Sequence, residues 1–298
     1  MMRGRFLSLE LWFVLAIAVV FLWGCDGILA KVSTPKLGVM RVAILMAVVS
    51  GTTYLLGFLC WRNNLRIGLE DAGLAGISCV VGAVAYLCFF ESILDGQVAT
   101  VGTISAGYPA LTVLGAIFFL SETLKIFQLA AIVAIIGGVV GLSYEPNPSS
   151  EHSMPRRSLF FALLAFALWG VWGLTSKMAI SAVGAGNIFG FYIISSLTAP
   201  SIYAIYRLAK PRESGDIKPP RAAWIYGAAG LALNSCGVFA FSFALKVGSA
   251  SLVGPITGAY PLVTVILAVV LLHEKLDRLH IIPLVLVIIG LIALGITS

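Results

Sequence analysis

A carboxylate, Asp26, interrupts an apolar run that extends over about residues 9 to 30. At the centre of a bilayer such a group costs about 2.5–3.5 kcal/mol or more, so it faces a protein interior or a wet cavity, where it can exchange a proton or pair with an amine. The bland alternative is a place near the interface, paired with a lysine. Glu91, close to the end of another apolar run, could couple in the same way or serve as a solvated helix end. Further on, tyrosine and proline recur together, in Ser105-Ala-Gly-Tyr108-Pro109-Ala-Leu-Thr112 and in Thr257-Gly-Ala-Tyr260-Pro261-Leu-Val-Thr264. Proline has no N–H and leaves the carbonyl four residues back, here Ser105 and Thr257, without its helical partner. Pro255 does the same to Ser251. Interrupted apolar helices at matching places point to a mid-membrane site where bare carbonyls and hydroxyls meet a solute. A packing kink satisfied by a neighbouring helix is the competing explanation.

Around these residues the sequence places aromatic rings and sparse polar groups. Trp23, Tyr86, Tyr108, Trp169, Trp172 and Tyr260, with Asn234 and Ser235, could line a pocket suited to an organic solute. The alternative is an interfacial belt, which fits residues at span ends better. The five cysteines lack CxxC spacing, and the three histidines lie in or beside connections. Neither a metal site nor a disulfide framework is indicated. With no nucleotide-binding glycine loop and no Ser/His/Asp set, the expectation is a protein that is not an enzyme and needs no cofactor. Most of the net charge of +6 sits in connections, where basic residues meet lipid head groups, which excludes a nucleic-acid reading.

The elements that hold these residues must be membrane helices. Of 298 residues 60% are hydrophobic and 11% charged, with mean hydropathy +1.03; a soluble domain carries about a quarter charged residues. At about 20 residues per span the chain has room for ten. Apolar runs predict helices near 9–30, 39–60, 72–94, 98–120, 126–143, 158–180, 187–208, 221–245, 249–272 and 279–296. Leu22-Trp23-Gly24-Cys25 looks like a lipid-attachment signal, yet Glu10 and Trp23 are wrong for cleavage, and a structural helix is expected.

The stretch from 144 to 157, rich in Pro and Ser with four charges, reads as an aqueous linker between halves 1–143 and 158–298. Pairs 108/260, 109/261, 112/264, 122/274 and 138/290 all differ by 152, while Trp23-Gly24 and Lys31 precede Trp169-Gly170 and Lys177 by 146. The chain is a duplication. By this register Asp26 corresponds to Trp172. Five spans per copy is an odd number, so the copies enter the membrane with opposite orientation, as in many secondary transporters. Connection cations Lys31, Lys36, Arg156, Arg157, Lys210, Arg212, Lys218, Lys275 and Arg278 outnumber Arg3, Arg5, Arg62, Arg66, Lys125 and Lys246 on the other side. This leans toward external termini, while Arg3 and Arg5 beside the first helix pull the other way, so orientation stays open. Glu122 and Glu274 are expected in tight turns, pairing with Lys125 and Lys275 or supporting the next helix, with Asp277 as an N-cap. Gly137-xxx-Gly141 and Gly254-xxx-Gly258 offer small faces for packing within the bundle or in a homodimer.

Trp-Gly-x6-Lys opening each half, followed by an apolar Tyr-Pro helix, a Glu-containing turn and a glycine-rich last helix, resembles the EamA-type permeases of the drug/metabolite transporter superfamily. Asp26 stands where such proteins often have Asn, and Lys125 replaces the usual Ser or Thr cap. The resemblance implies an all-α integral membrane protein of ten helices in two inverted five-helix repeats. It implies a central cavity formed mainly by helices one, three, four, six, eight and nine. It also implies a secondary transporter that moves a small-molecule substrate such as an amino acid by alternating access, commonly outward, in a bacterial cytoplasmic membrane. A lipid or lipid-linked-sugar flippase on the same fold is the near alternative, and a membrane-embedded enzyme the remote one. Proton coupling through Asp26 is a further expectation.

Overall fold

The computed structural model describes residues 2–63, 66–95, 105, 107–142, 155–209, 218–272 and 278–297. Residues 144–154 of the expected linker, His152, His273, Glu274, Lys275 and Asp277 lie outside the described residues, as do most of the residues joining Ala209 to Arg221. The described residues form helices and no strand. In chain order these are α1 (Met2–Leu37), α2 (Val39–Trp61), α3 (Leu69–Asp95), α4 (Tyr108–Leu120), α5 (Ile126–Leu142), α6 (Arg156–Val183), α7 (Ile188–Ala209), α8 (Arg221–Val247), α9 (Ala250–Gly258 and, after a break at Ala259, Tyr260–Leu272) and α10 (Ile281–Thr297).

Seven of them, α1, α2, α3, α6, α7, α8 and α9, are long and apolar enough to cross a membrane. The described parts of α4, α5 and α10 are apolar but shorter, at 13, 17 and 17 residues. At 1.5 Å per residue these reach only about 20–26 Å, short of a hydrocarbon core of about 30 Å. The runs expected at 126–143 and 279–296 are met by α5 and α10, and the start of the run expected at 98–120 lies outside the described residues. Large apolar side chains cover the outside of the bundle. Phe118 and Phe119 on α4 are 76% and 75% exposed, and Ile282 on α10 is 72% exposed. In water these would form patches that soluble monomers avoid; in lipid they are solvated. The chain is a multi-pass integral membrane protein.

The duplication is visible as matched contacts. Gly38 after α1 and Gly184 after α6 turn the chain with φ of +74° and +89°, a region that glycine enters without a Cβ clash. Thr264 on α9 donates its hydroxyl to the Gly24 carbonyl of α1 at 3.0 Å, and Thr112 on α4 donates to the Gly170 carbonyl of α6 at 3.2 Å. The first helix of each half thus packs on the Tyr-Pro helix of the other half. Glycine makes this approach possible: a Cβ at Gly24 would stand 2.5 Å from Val263, and one at Gly170 the same distance from Leu111. The last helices pair likewise, Gly138 and Gly141 of α5 against Pro283 of α10, and Gly290 of α10 against Ile135 of α5. Gly137 has no neighbour there, so the small face of α5 runs through Gly138 and Gly141 rather than Gly137 and Gly141.

Glu122 corrects the expectation of a local partner. Its two carboxylate oxygens accept the backbone N–H groups of Ala250 and Ser251 at 2.9 and 2.8 Å, capping α9 from the opposite half. The four leading N–H groups of a helix lack intrahelical partners, and a carboxylate there also meets the positive end of the helix dipole.

Candidate functional site

The two Tyr-Pro stretches break their helices in the same way. Gly107 has φ −75° and ψ −8°, and Ala259 has φ −77° and ψ 4°, one residue ahead of each tyrosine. In both places the helix restarts through a tighter bond, Ala110 N–H to the Gly107 carbonyl and Leu262 N–H to the Ala259 carbonyl, each 3.0 Å. The prolines therefore open a new helical segment instead of kinking a continuous one. Backbone N–H groups at the Ala259 cap are directed at the carbonyls of Ile256 and Thr257, so the Thr257 carbonyl is not bare as the proline spacing suggested.

Each tyrosine lies against a tryptophan of the other half. Tyr108 and Trp169 ring centroids are 5.9 Å apart, and Tyr260 and Trp23 are 6.3 Å apart. These rings border a cavity of about 140 Å³ inside the bundle. On the same measure a water needs about 10–15 Å³, so the space suits a small organic molecule. Of the residues expected in the site, Trp23, Asp26, Tyr86, Tyr108, Trp169, Trp172, Asn234 and Tyr260 line it.

Asp26 is buried, at 6% exposure, within a cluster drawn from α1, α3 and α8. Tyr86 donates its hydroxyl to Asp26 Oδ2 at 2.6 Å, and Asn234 donates Nδ2 to the same oxygen at 3.0 Å and to the Tyr86 hydroxyl at 2.9 Å. Gly230 makes room for the carboxylate, since a Cβ there would stand 2.8 Å from Oδ1. Trp23 fixes the other end of Asn234 by donating its indole N–H to the Asn234 carbonyl at 3.2 Å. In the duplicate register, Asp26 and Asn234 correspond to Trp172 and Gly82. A Cβ at Gly82 would lie 2.7 Å from the Trp172 ring, so one half holds an acid and an amide where the other fits an indole into a gap. The Trp172 indole N–H reaches the Tyr192 hydroxyl at 3.1 Å, and its ring stacks on Phe241 at 5.0 Å.

The halves meet tightly at one end of the bundle. Trp61, closing α2, packs on Phe239 and Phe243 of α8 and on Phe189 of α7, with centroids 5.3, 5.5 and 6.1 Å away. A Cβ at Gly186 would fall 1.8 Å from the Trp61 carbonyl oxygen, and the Asn63 backbone N–H donates to Asn187 Oδ1 at 2.9 Å. The cavity lies away from this seal. Its lining reaches Lys31, Met46 and Ile93, towards the opposite ends of α1, α2 and α3.

Residues 10–144 and 156–296 each match the EamA-like transporter family. The chain belongs to that family. An uncharacterized protein of Methanocaldococcus jannaschii is 28% identical over 130 residues, which cover 44% of this chain and 94% of that protein, about the length of one repeat. A solved structure, described only as the crystal structure of a protein, superposes with a TM-score of 0.76 at 18% identity over 96% of this chain and 99% of its own. At that identity the likeness speaks to the fold alone.

Within this EamA-like protein several expected residues lie elsewhere. Ser105 and Thr257 are buried but do not line the cavity, and the Thr257 hydroxyl turns back to the Val253 and Gly254 carbonyls at 2.9 and 3.1 Å. Pro109 fits against Gly258, and neither it nor Pro261 lines the cavity. Glu91 is 2% exposed and bonds Arg157 and the Tyr203 hydroxyl, outside the cavity lining. Arg157 also reaches the Tyr206 hydroxyl at 2.9 Å, so the ion pair ties α3 to α6 and α7. Lys177, expected at the close of the first helix of its half, donates to the Leu245 and Gly248 carbonyls at 2.6 and 2.7 Å and caps the end of α8.

The cavity also takes residues from α2 and α7, two helices left out of the expected lining. Met46, Ser50 and Tyr54 come from α2, and Tyr192, Ser195 and Ser196 from α7. A π-helical turn at Met46–Ser50 resets the face that α2 presents, and such turns gather at functional sites. The visible signal was the serines inside two apolar runs. Among the described residues no cluster of His, Cys, Asp or Glu could hold a metal ion.

Proposed function

We propose that this EamA-like protein is a secondary active transporter that moves a small organic solute by alternating access. In this reading ten spans form two inverted five-helix halves, and the halves rock about the cavity. The observation that carries it is the Asp26–Tyr86–Asn234 cluster, which joins the two halves at the wall of an aromatic cavity lying to one side of a seal at Trp61. A site shared by both halves, with one end closed, is what rocking requires. Proton coupling through Asp26 belongs to the same proposal. A buried acid that, among the described residues, takes its hydrogen bonds from the neutral Tyr86 and Asn234 is suited to exchanging a proton.

The test is metabolite profiling of cells with and without the protein, followed by flux of the leading solutes in proteoliposomes. Gradient-dependent uptake absent from empty vesicles is expected, and Asp26→Asn is expected to abolish its pH dependence. Folded protein that moves none of the solutes profiling identifies would contradict the transport reading. Unchanged pH dependence in Asp26→Asn would remove the coupling role.

A further inference from the structure

We propose that the cavity binds an organic cation, an alkylammonium head on a small aromatic or apolar body, with Asp26 as its counter-ion. This deepens the transport reading and rests on the cavity being the transport site. The Asp26 carboxylate is buried, and both of its hydrogen bonds go to Oδ2. Among the described residues Oδ1 accepts none, and no cationic side chain pairs with the group. An uncompensated buried carboxylate is costly, and the missing counter-charge is what a cationic ligand supplies. Neither Tyr86 nor Asn234 can provide it, because both are neutral donors.

The rest of the wall suits the same head group. Trp23, Tyr86, Tyr108, Trp169 and Tyr260 line the cavity, and aromatic rings attract ammonium and quaternary ammonium groups through their quadrupoles. Rings from both halves meet there, Tyr86 and Trp169 at 6.0 Å and Trp23 and Trp172 at 6.2 Å, so a ligand body of aromatic size would lie against aromatic side chains. Among the described residues the other charged group of the lining is Lys31. It stands where Lys177 stands in the second half, and Lys177 directs its ammonium at helix-ending carbonyls of α8. Asp26, hydrogen-bonded to Tyr86 beside the Trp169 ring, is the charged group set among the rings.

The test uses the purified full chain in detergent and ligands that share one phenyl body. These are 2-phenylethylamine, its trimethylammonium analogue, 2-phenylethanol, 3-phenylpropionate and phenylalanine, titrated by tryptophan fluorescence and calorimetry. Both cations should bind roughly tenfold or more tightly than the alcohol, the carboxylate and the zwitterion. In Asp26→Asn the advantage should vanish, and in Asp26→Glu part of it should remain. Equal or tighter binding of the alcohol, carboxylate or zwitterion overturns the proposal, as does absence of binding by both cations. A cation preference untouched by Asp26→Asn overturns the role of Asp26. Should Asp26→Asn fail to fold, the ligand series on the unaltered protein still decides the class. Amine flux in proteoliposomes separates the two readings. Binding without flux leaves the cation site standing and removes transport, whereas flux of an uncharged or anionic solute without amine binding does the reverse.

Discussion

The Asp26 carboxylate fits only because the residue facing it has no side chain. A Cβ at Gly230 would stand 2.8 Å from Oδ1, inside contact distance. Gly230→Ala should displace the acid from Tyr86 and Asn234 while leaving the α8 helix intact, since alanine is the better helix former by about 1 kcal/mol. Solute binding is expected to fall roughly tenfold with little change in thermal stability, a split that titration and thermal melting can read separately. Binding as tight as in the unaltered protein would mean that the position of the carboxylate does not matter. At this scale the sequence was informative where a residue type was out of place. An acid in an apolar run, or a tryptophan recurring at the same offset, stands out. Met46, Tyr54 and Tyr192 carried no such mark, because their place at the cavity depends on the π-turn of α2 and on the rotation of α7, which no single residue specifies.

Helices here are ended by side chains from elsewhere in the chain. Glu122 caps α9 across the two halves, so Glu122→Ala should cost about 1–2 kcal/mol, the upper end of what a cap contributes. Chemical denaturation in detergent measures this, and an unchanged midpoint would argue that the bonds are not stabilising. Glu91 gives the complementary case. Its pairing with Arg157 and Tyr203 holds α3 to α6 and α7, and Arg157 is 37% exposed, which tempers the cost of breaking a buried pair. Glu91→Gln should destabilise by about 1–3 kcal/mol yet leave the ligand preference of the cavity unchanged. A stable variant with altered coupling would return Glu91 to the transport cycle. The Tyr-Pro stretches and the glycine-rich last helices were legible as repeats, whereas the matching turns at Gly38 and Gly184 emerged only from the fold. The remote partner of Glu122 was not legible either, because local apolar content says nothing about which half supplies a helix cap.

Across the whole molecule, the offsets of 146 and 152 establish the duplication, and they make the packing of α1 on α9 and of α6 on α4 two copies of one contact. Which end of the bundle is sealed could not be inferred that way. The seal joins Trp61 to Phe243 and Asn63 to Asn187, contacts between distant parts of the chain that only the assembled fold brings together. If the halves rock, that seal must open and the opposite end must close. The most direct measurement places a cysteine at Ser196, in the cavity wall, after Cys25, Cys60, Cys79, Cys88 and Cys236 have been replaced. A membrane-impermeant thiol reagent is then applied to vesicles of each orientation. Alternating access predicts labelling from both sides, with bound solute slowing it from each. Labelling from one side alone, with and without solute and under an imposed proton gradient, would contradict transport through this cavity.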